Sequence, residues 1–290
     1  MSDAQRHQQN DVSDIPPPGA RLAGRALGLD IGGSGIKGAI VDVANGRLVT
    51  ARIREPTPRS ATRGRLLDVI SDVVRQIEAT GQLSDGLAAG VGFPSVVKAG
   101  QALTATQLDE WWVGSPVQDV LSERLGRPVV VLNDADAAAV AEVAYGAGKD
   151  RPGLVLLLAL GTGIGTSLFM DGHLVPNLQL GHVEFHRRDA ETRLSSAARD
   201  KRKLGLKKWA REFNELLAAY ETYLWPDLII LGGGMARKFP KFERFLHTRA
   251  PLVAGSLGNA AGIIGAARTG FFASRRTGPR SASEPRTRPE

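Results

Sequence analysis

One device occurs twice in this chain and limits what it can fold into: an apolar run, a turn built of glycine, and a second β-prone run that doubles back. The first copy reads Ala26-Leu-Gly-Leu-Asp30-Ile-Gly-Gly-Ser-Gly-Ile-Lys37-Gly-Ala-Ile-Val-Asp-Val43, is closed by Asn45-Gly46, and continues from Arg47 to Ile53. The second runs from Leu154 to Leu160 into Gly161-Thr-Gly-Ile-Gly165, then from Thr166 to Met170, Asp171-Gly172 and His173-Leu-Val175. Asn-Gly and Asp-Gly between β-prone runs supply the positive φ angles that two-residue hairpins need. A copy about 128 residues from the first predicts two similar lobes rather than one domain with an appendage.

Helices fill the spaces between. Leu66, Ile70, Val73 and Ile77 share one helical face, which ends at Thr80-Gly81. Asp136 to Tyr145 is Ala-rich, and Trp209, Phe213, Leu216, Tyr220 and Leu224 mark a further helix ended by Pro226. Leu228 to Leu231 is a strand entering Gly232-Gly-Gly234, and Ala261 to Phe272 closes the fold as a helix. Hairpins mixed with crossover helices predict an α/β protein with mixed five-stranded sheets, one per lobe, and a cleft between them. We expect lobes at 25–134 and 135–260, a closing helix at 261–272, and tails at 1–24 and 273–290 whose polar, Pro-rich composition cannot bury a core.

Composition removes several classes. With no cysteine, disulfides, thiolate nucleophiles and sulfur-ligated zinc are excluded, so no zinc is expected. The longest apolar run, Leu154 to Leu160, is far short of the roughly 20 residues that span a bilayer. No apolar leader stands near the N-terminus, so a cytoplasmic protein without a membrane partner is expected. Of the net charge of +7, residues 187–208 supply +6, nine basic side chains against three acidic. No base-reading module or interleaved aromatics accompany that segment, so nucleic acid is not the expected partner.

Gly33-Ser-Gly35-Ile-Lys-Gly38 fits the dinucleotide spacing, but a hairpin follows it where that motif needs a helix. A phosphate-loop reading fails because Ile36, not glycine, precedes Lys37. What remains is a turn whose backbone N–H groups can cradle an anion, with Asp30 placed where a carboxylate suits phosphate-bound Mg²⁺. Each glycine cluster taken singly is accounted for by tight-turn geometry. Three of them, Gly32-Gly33-Ser34-Gly35, Gly161-Thr162-Gly163 and Gly232-Gly233-Gly234, all directly after apolar strands and joined by Asp30 and Lys37, point to a phosphate-binding cleft. Asn133-Asp134 follows the strand Pro128 to Leu132, where the pair suits either a helix cap or cleft chemistry.

These motifs, with Gly92-Phe-Pro94, Leu180-Gly-His182-Val-Glu184, Lys207-Lys-Trp209 and Ala261-Gly-Ile-Ile-Gly-Ala266, resemble in their order the actin-like sugar kinases, and more narrowly the ROK family and its polyphosphate-using branch. The resemblance spans residues 26–272. It implies a two-lobed actin-like (ribonuclease H-like) fold and phosphoryl transfer to the 6-hydroxyl of glucose or a close hexose, from polyphosphate or ATP with Mg²⁺. Asp134 resembles the catalytic base, and Asn133, Gln179, His182 and Glu184 the sugar ligands. A homodimer is the expected assembly. Two departures stand out. Gln179 occupies a place where that branch usually has Glu, and Thr106-Gln-Leu-Asp-Glu-Trp-Trp112 differs from the family's Asn-containing stretch, leaving Trp111 and Trp112 as packing residues or a sugar platform. A long polyphosphate needs cations beyond the cleft, for which Arg199, Lys201, Arg202, Lys203, Lys207 and Lys208 are the dense candidate; the alternative is a solvated helix face. A nucleotide-dependent kinase for another hexose or amino sugar, and a pseudo-kinase that binds sugar without turnover, are the competing readings.

Overall fold

The computed structural model describes residues 23–58, 63–82, 89–105 and 108–277. The first glycine turn joins β1 (Arg25–Gly32) to β2 (Gly35–Asp42), antiparallel with Gly32 opposite Gly35 and Asp30 opposite Lys37. β3 (Arg47–Leu48) and β4 (Ile53–Glu55) both pair with β2. After α1 (Arg63–Glu78), β5 (Ala89–Phe93) lies parallel to β1. A short hairpin, β6 (Val97–Lys98) and β7 (Gln101–Ala102), and α2 (Val117–Leu125) lead to β8 (Val129–Asn133), parallel to β5. The sheet order is β3-β2-β1-β5-β8, with β4 as a sixth short strand on β2. Leu66, Ile70, Val73 and Ile77 of α1 are all buried against it, as their spacing predicts. Gly38 makes room for them: a Cβ there would lie 2.6 Å from Leu29 and 2.8 Å from Ile77.

The second lobe repeats the plan. α3 (Asp134–Tyr145) precedes β9 (Leu154–Leu160), β10 (Ile164–Met170) and β11 (His173–Val175), a meander turned at Asp171-Gly172. A small hairpin, β12 (Glu184–Phe185) and β13 (Arg188–Asp189), is followed by α4 (Ala190–Leu194), α5 (Ser196–Lys201) and α6 (Leu206–Leu224). β14 (Leu228–Gly232) and β15 (Leu252–Ala254) complete the order β11-β10-β9-β14-β15. Trp209, Phe213 and Phe242 form an aromatic stack and edge under this sheet, so the tryptophan after Lys207-Lys208 belongs to the core.

The closing helix, α7 (Ala261–Thr277), continues past the expected end at 272, so residues 273–277 are helical rather than tail. Residues 1–22 and 278–290, the bulk of the two expected tails, lie outside the described residues, as do Thr106 and Gln107. α7 returns to the first sheet. A Cβ on Gly28 would meet the Ile263 carbonyl oxygen at 2.0 Å, and one on Gly90 the Ala266 oxygen at 1.6 Å. α3 is shared: Val140 and Val143 pack with Val155, Leu157 and Phe169 of the second sheet, and its backbone at Ala137 and Ala141 is crossed closely by α7 at Gly265. Assigning α3 to one lobe therefore divides a helix that packs on both. Among the described residues no helix is long and apolar enough to cross a membrane.

Candidate functional site

The lobes enclose a cleft of about 320 Å³, into which β1, β8, β9 and β14 all deliver their C-terminal ends, where the glycine turns leave backbone rather than side chain facing the space. At its floor β8 passes straight into α3. Asn133, 7% exposed, caps that helix: its Oδ1 accepts from Ala135 N at 3.0 Å and Asp136 N at 3.2 Å, while Nδ2 donates to Ser95 O at 3.0 Å. Asn133 lines the cleft, but its acceptor is spent on the cap, so capping and cleft chemistry fall to different members of the pair. Asp134, the next residue, is half-buried and turns its carboxylate to the cleft. Burial, and next the negative charge of Asp30, push its carboxyl up to about 7 against the pull of the Ala135 N–H. Asp136, two residues further along α3 and 1% exposed, is pushed up to about 6 by burial while it accepts from Asn177 N at 2.8 Å.

On the first-lobe side the cross-strand register brings Lys37 Nζ to 2.7 Å from Asp30 Oδ2. Gly32, Gly33 and Ser34 line the cleft beside them; Gly35 is buried beneath the Arg54 guanidinium and does not reach it, because a strand residue directly after the turn faces the sheet. Gly161, Thr162 and Gly163 line the opposite wall, as do Gly232, Gly233 and Gly234, with Gly233 at φ +71. The negative charge of Asp30 raises the cost of ionising Asp134, a situation that a divalent cation relieves. Mg²⁺ ordinarily takes one or two carboxylates plus substrate phosphates, so the residues present fit it.

Beside the second turn, His182 Nδ1 lies 2.7 Å from Asp189 Oδ2, and Asp189 Oδ1 caps α4 by accepting from Glu191 N at 2.8 Å. α4 in turn aims Glu191 at the glycine turn, where Oε2 accepts from Ile164 N at 2.8 Å and leaves no room for a side chain at Gly163. Gln179, His182 and Glu191 all line the cleft. Asp189, Glu191 and Asn177, which joins Val97 of the first lobe to Asp136 of the second, escaped sequence reasoning. The one local signal was Asp189 standing two residues before Glu191 at the start of a helix. Glu184 is exposed and off the cleft: in the tight β12–β13 hairpin its neighbour Phe185 turns into the core, so pleat alternation sends Glu184 outward. Trp112 is buried against Phe93 as a packing residue, and Trp111, 36% exposed, lies on Trp112 with ring centroids 4.2 Å apart; neither lines the cleft.

Residues 26–192 match the ROK family. The chain belongs to the ROK family. The ROK chain is 43% identical over 251 residues to the polyphosphate glucokinase of Mycobacterium tuberculosis strain H37Rv, covering 86% of this chain and 92% of that one. The crystal structure of the inorganic polyphosphate/ATP-glucomannokinase from Arthrobacter sp. strain KM superposes with a TM-score of 0.83 at 38% identity, covering 88% of this chain and all (100%) of that one. A ROK glucokinase from Streptomyces griseus, solved with glucose and AMPPNP, gives a TM-score of 0.72 at 25% identity, over 84% of this chain and 98% of that one. The two-lobed actin-like architecture is thereby shown.

In this ROK chain the basic segment is not uniform. Arg199 is 7% exposed and ion-paired to Asp200, with Nη1 at 3.4 Å from Met235 Sδ. Arg202 makes a two-pronged bond to Glu212 at 2.8 and 3.0 Å. Both are committed to holding α5 in place, which corrects their assignment to a polyanion track. Lys201, Lys203, Lys207 and Lys208 are exposed and carry no ion pair among the described residues.

Proposed function

We propose that this chain transfers the terminal phosphoryl group of inorganic polyphosphate, and of ATP, to the 6-hydroxyl of glucose or a close hexose. The observation that carries this reading is Asp134, a carboxylate of raised proton affinity on the cleft floor between the Asp30–Lys37 pair and the Gln179–His182 wall. Asp134 accepts the hydroxyl proton as O6 bonds to phosphorus, the bridging P–O bond breaks, and the donor leaves one phosphate shorter. The glycine turns bind the donor through backbone N–H groups, Lys37 offsets its charge, and closure of the lobes excludes water. Asp30 with the donor phosphates would hold Mg²⁺, which supplies charge neutralisation when bound. The names of the Mycobacterium and Arthrobacter relatives support the choice of donors. A coupled assay for hexose 6-phosphate with polyphosphate or ATP as sole donor tests the proposal; no product with either donor refutes it.

His182 and Gln179 are assigned to the sugar hydroxyls, with Glu191 beside them. A carboxylate on Nδ1 makes that nitrogen the N–H and leaves Nε2 as an acceptor for a sugar hydroxyl. Asp189→Asn keeps an Oδ1 for the α4 cap but turns an amide N–H toward the ring, which moves the proton to Nε2. We expect the glucose KM to rise about tenfold, the worth of one hydrogen bond, with an unchanged Tm and a tautomer change in the imidazole ¹⁵N shifts. Unaltered glucose KM would detach Asp189 from the sugar site.

Gln179→Glu restores a charged acceptor, so glucose KM should fall by about tenfold with kcat retained, as a charge-assisted bond is worth about 1.5 kcal/mol or more. A KM that stays or rises would mean the pocket is shaped for another hexose.

A further inference from the structure

The Lys201–Lys208 segment does not stand alone. The Gly232-Gly233-Gly234 turn that lines the cleft runs directly into two short 3₁₀ turns, Ala236–Lys241 and Glu243–Phe245, which carry Arg237, Lys238, Lys241 and Arg244, all exposed. Three contacts bring these turns against α5 and the start of α6. The Phe245 ring has the Lys207 ammonium 5.8 Å from its centre and the Arg244 guanidinium 4.8 Å from it. Arg199 reaches the sulfur of Met235, the residue that opens the first turn. The Asp200 carboxyl, held low mainly by Arg199, also feels Lys238. Two runs some thirty residues apart in sequence thus form one surface.

We infer that the polyphosphate donor is held beyond the cleft by a two-walled basic track, Lys201, Lys203, Lys207 and Lys208 on one side and Arg237, Lys238, Lys241 and Arg244 on the other. This rests on the donor reading given above. None of the eight is in an ion pair among the described residues, and the carboxylates nearby are Asp200, already held by Arg199, Glu212, already held by Arg202, and Glu243. Both walls begin at the cleft: Gly232-Gly233-Gly234 and Ala236 line it on one side, and on the other Gly161 O accepts from Ala197 N of α5 at 3.3 Å. A chain carrying about one charge per phosphate matches a row of unpaired cations leading away from the transfer site. Single-stranded nucleic acid fits less well, since it needs exposed rings on which bases stack. Phe239 and Phe242 are buried, Phe245 is half-buried with Lys207 and Arg244 against its ring, and exposed Tyr223 and Trp225 sit at the far end of α6, roughly 25 Å away at 1.5 Å per residue.

The test is the full-length triple variant Lys238→Gln, Lys241→Gln, Arg244→Gln, assayed with long-chain polyphosphate and with ATP from about 50 to 200 mM salt. The KM for long-chain polyphosphate should rise about tenfold and the slope of log KM against log salt should fall by about 2, as expected when three of the contacting cations are removed. Glucose KM, ATP kinetics and Tm should stay as in the wild type. Wild-type activity on polyphosphate with an unchanged KM in the variant overturns the track alone. Equal loss with ATP also overturns it, placing these cations at the transfer site, and a loss confined to binding of single-stranded DNA would reassign the surface. A wild type unable to use polyphosphate overturns the donor reading and the track together.

Discussion

Asp134→Asn should lower kcat by about 10²- to 10⁴-fold with either donor, the usual worth of a positioned general base, while glucose binding and the fold persist. The replacement is nearly isosteric and keeps an oxygen for the Ala135 N–H, which Asp134 Oδ1 holds at 2.9 Å. Wild-type kcat/KM for the free protein should climb as pH rises through about 7, because below that value the Asp134 carboxyl already carries the proton it has to accept. The variant's residual activity should lack this limb. Activity within tenfold of wild type, or an unchanged pH limb in the variant, would place the base elsewhere.

The same residue makes a prediction about stability. Its folded pKa lies above the ordinary 3.8, so between pH 4 and 7 the folded chain binds more protons than the unfolded one, and stability falls as pH rises through that window. Asp136, raised to about 6, slopes the same way and does so in both proteins. Asp134→Asn removes one of these two terms. Its Tm should therefore exceed that of the wild type at pH 8, by the equivalent of a few kcal/mol at about 1.4 kcal/mol per pH unit, and meet it near pH 4. A variant that melts below wild type at pH 8 would contradict this. On the proposed role of Asp134 as the base, its carboxylate is held at a cost to stability that the charged form imposes.

The second large effect is expected at the crossing of α3 and α7. A Cβ on Gly265 would stand 1.7 Å from the carbonyl oxygen of Ala137 and 2.7 Å from its carbon. Both neighbours are backbone, so no rotamer change relieves the clash and the helices must separate along a contact that also carries Ala141. Gly265→Ala should cost more than about 4 kcal/mol, in the range reserved for overpacked backbone contacts, read as loss of cooperative thermal unfolding or a large drop in Tm. Molecules that still fold should show reduced kcat as well, because α3 carries Asp134 at its first position. Gly64→Ala in α1 is the control: a Cβ there meets nothing within 4 Å, so the gain in helix propensity should leave it neutral or slightly stabilised. Equal behaviour of the two variants would show that the crossing is more yielding than its geometry implies.

Much of the fold was legible because its signals are local. Glycine at the turns, Asp171-Gly172 and Asn45-Gly46 at the hairpins, and apolar residues every three or four positions along α1 and α6 constrain backbone and burial within a few residues, and they placed β1, β2, β8 to β11, β14 and the helices α1, α3, α6 and α7, but not β5, α2 or β15. The same locality put Asp30 opposite Lys37 and set Asp134 directly after a strand. Glu184 shows the limit. Whether it or Glu191 faces the cleft depends on a two-residue hairpin and on which neighbour, Phe185 or Glu184, the core takes.

The charges divide in the same way. Sequence alone determined that residues 187–208 are strongly basic. Only the tertiary structure decided that Arg199 and Arg202 are spent on Asp200 and Glu212, that four lysines carry no ion pair among the described residues, and that the run from Arg237 to Arg244 lies against them. It likewise decided that Asp189 would join His182 to the helix that carries Glu191, and that α3 would serve both lobes. The physical reason is common to all of these. Turn and periodicity rules act through bonds and neighbours along the chain, whereas the partner of a charge or a carbonyl is whichever group the packed fold brings within a few ångströms of it.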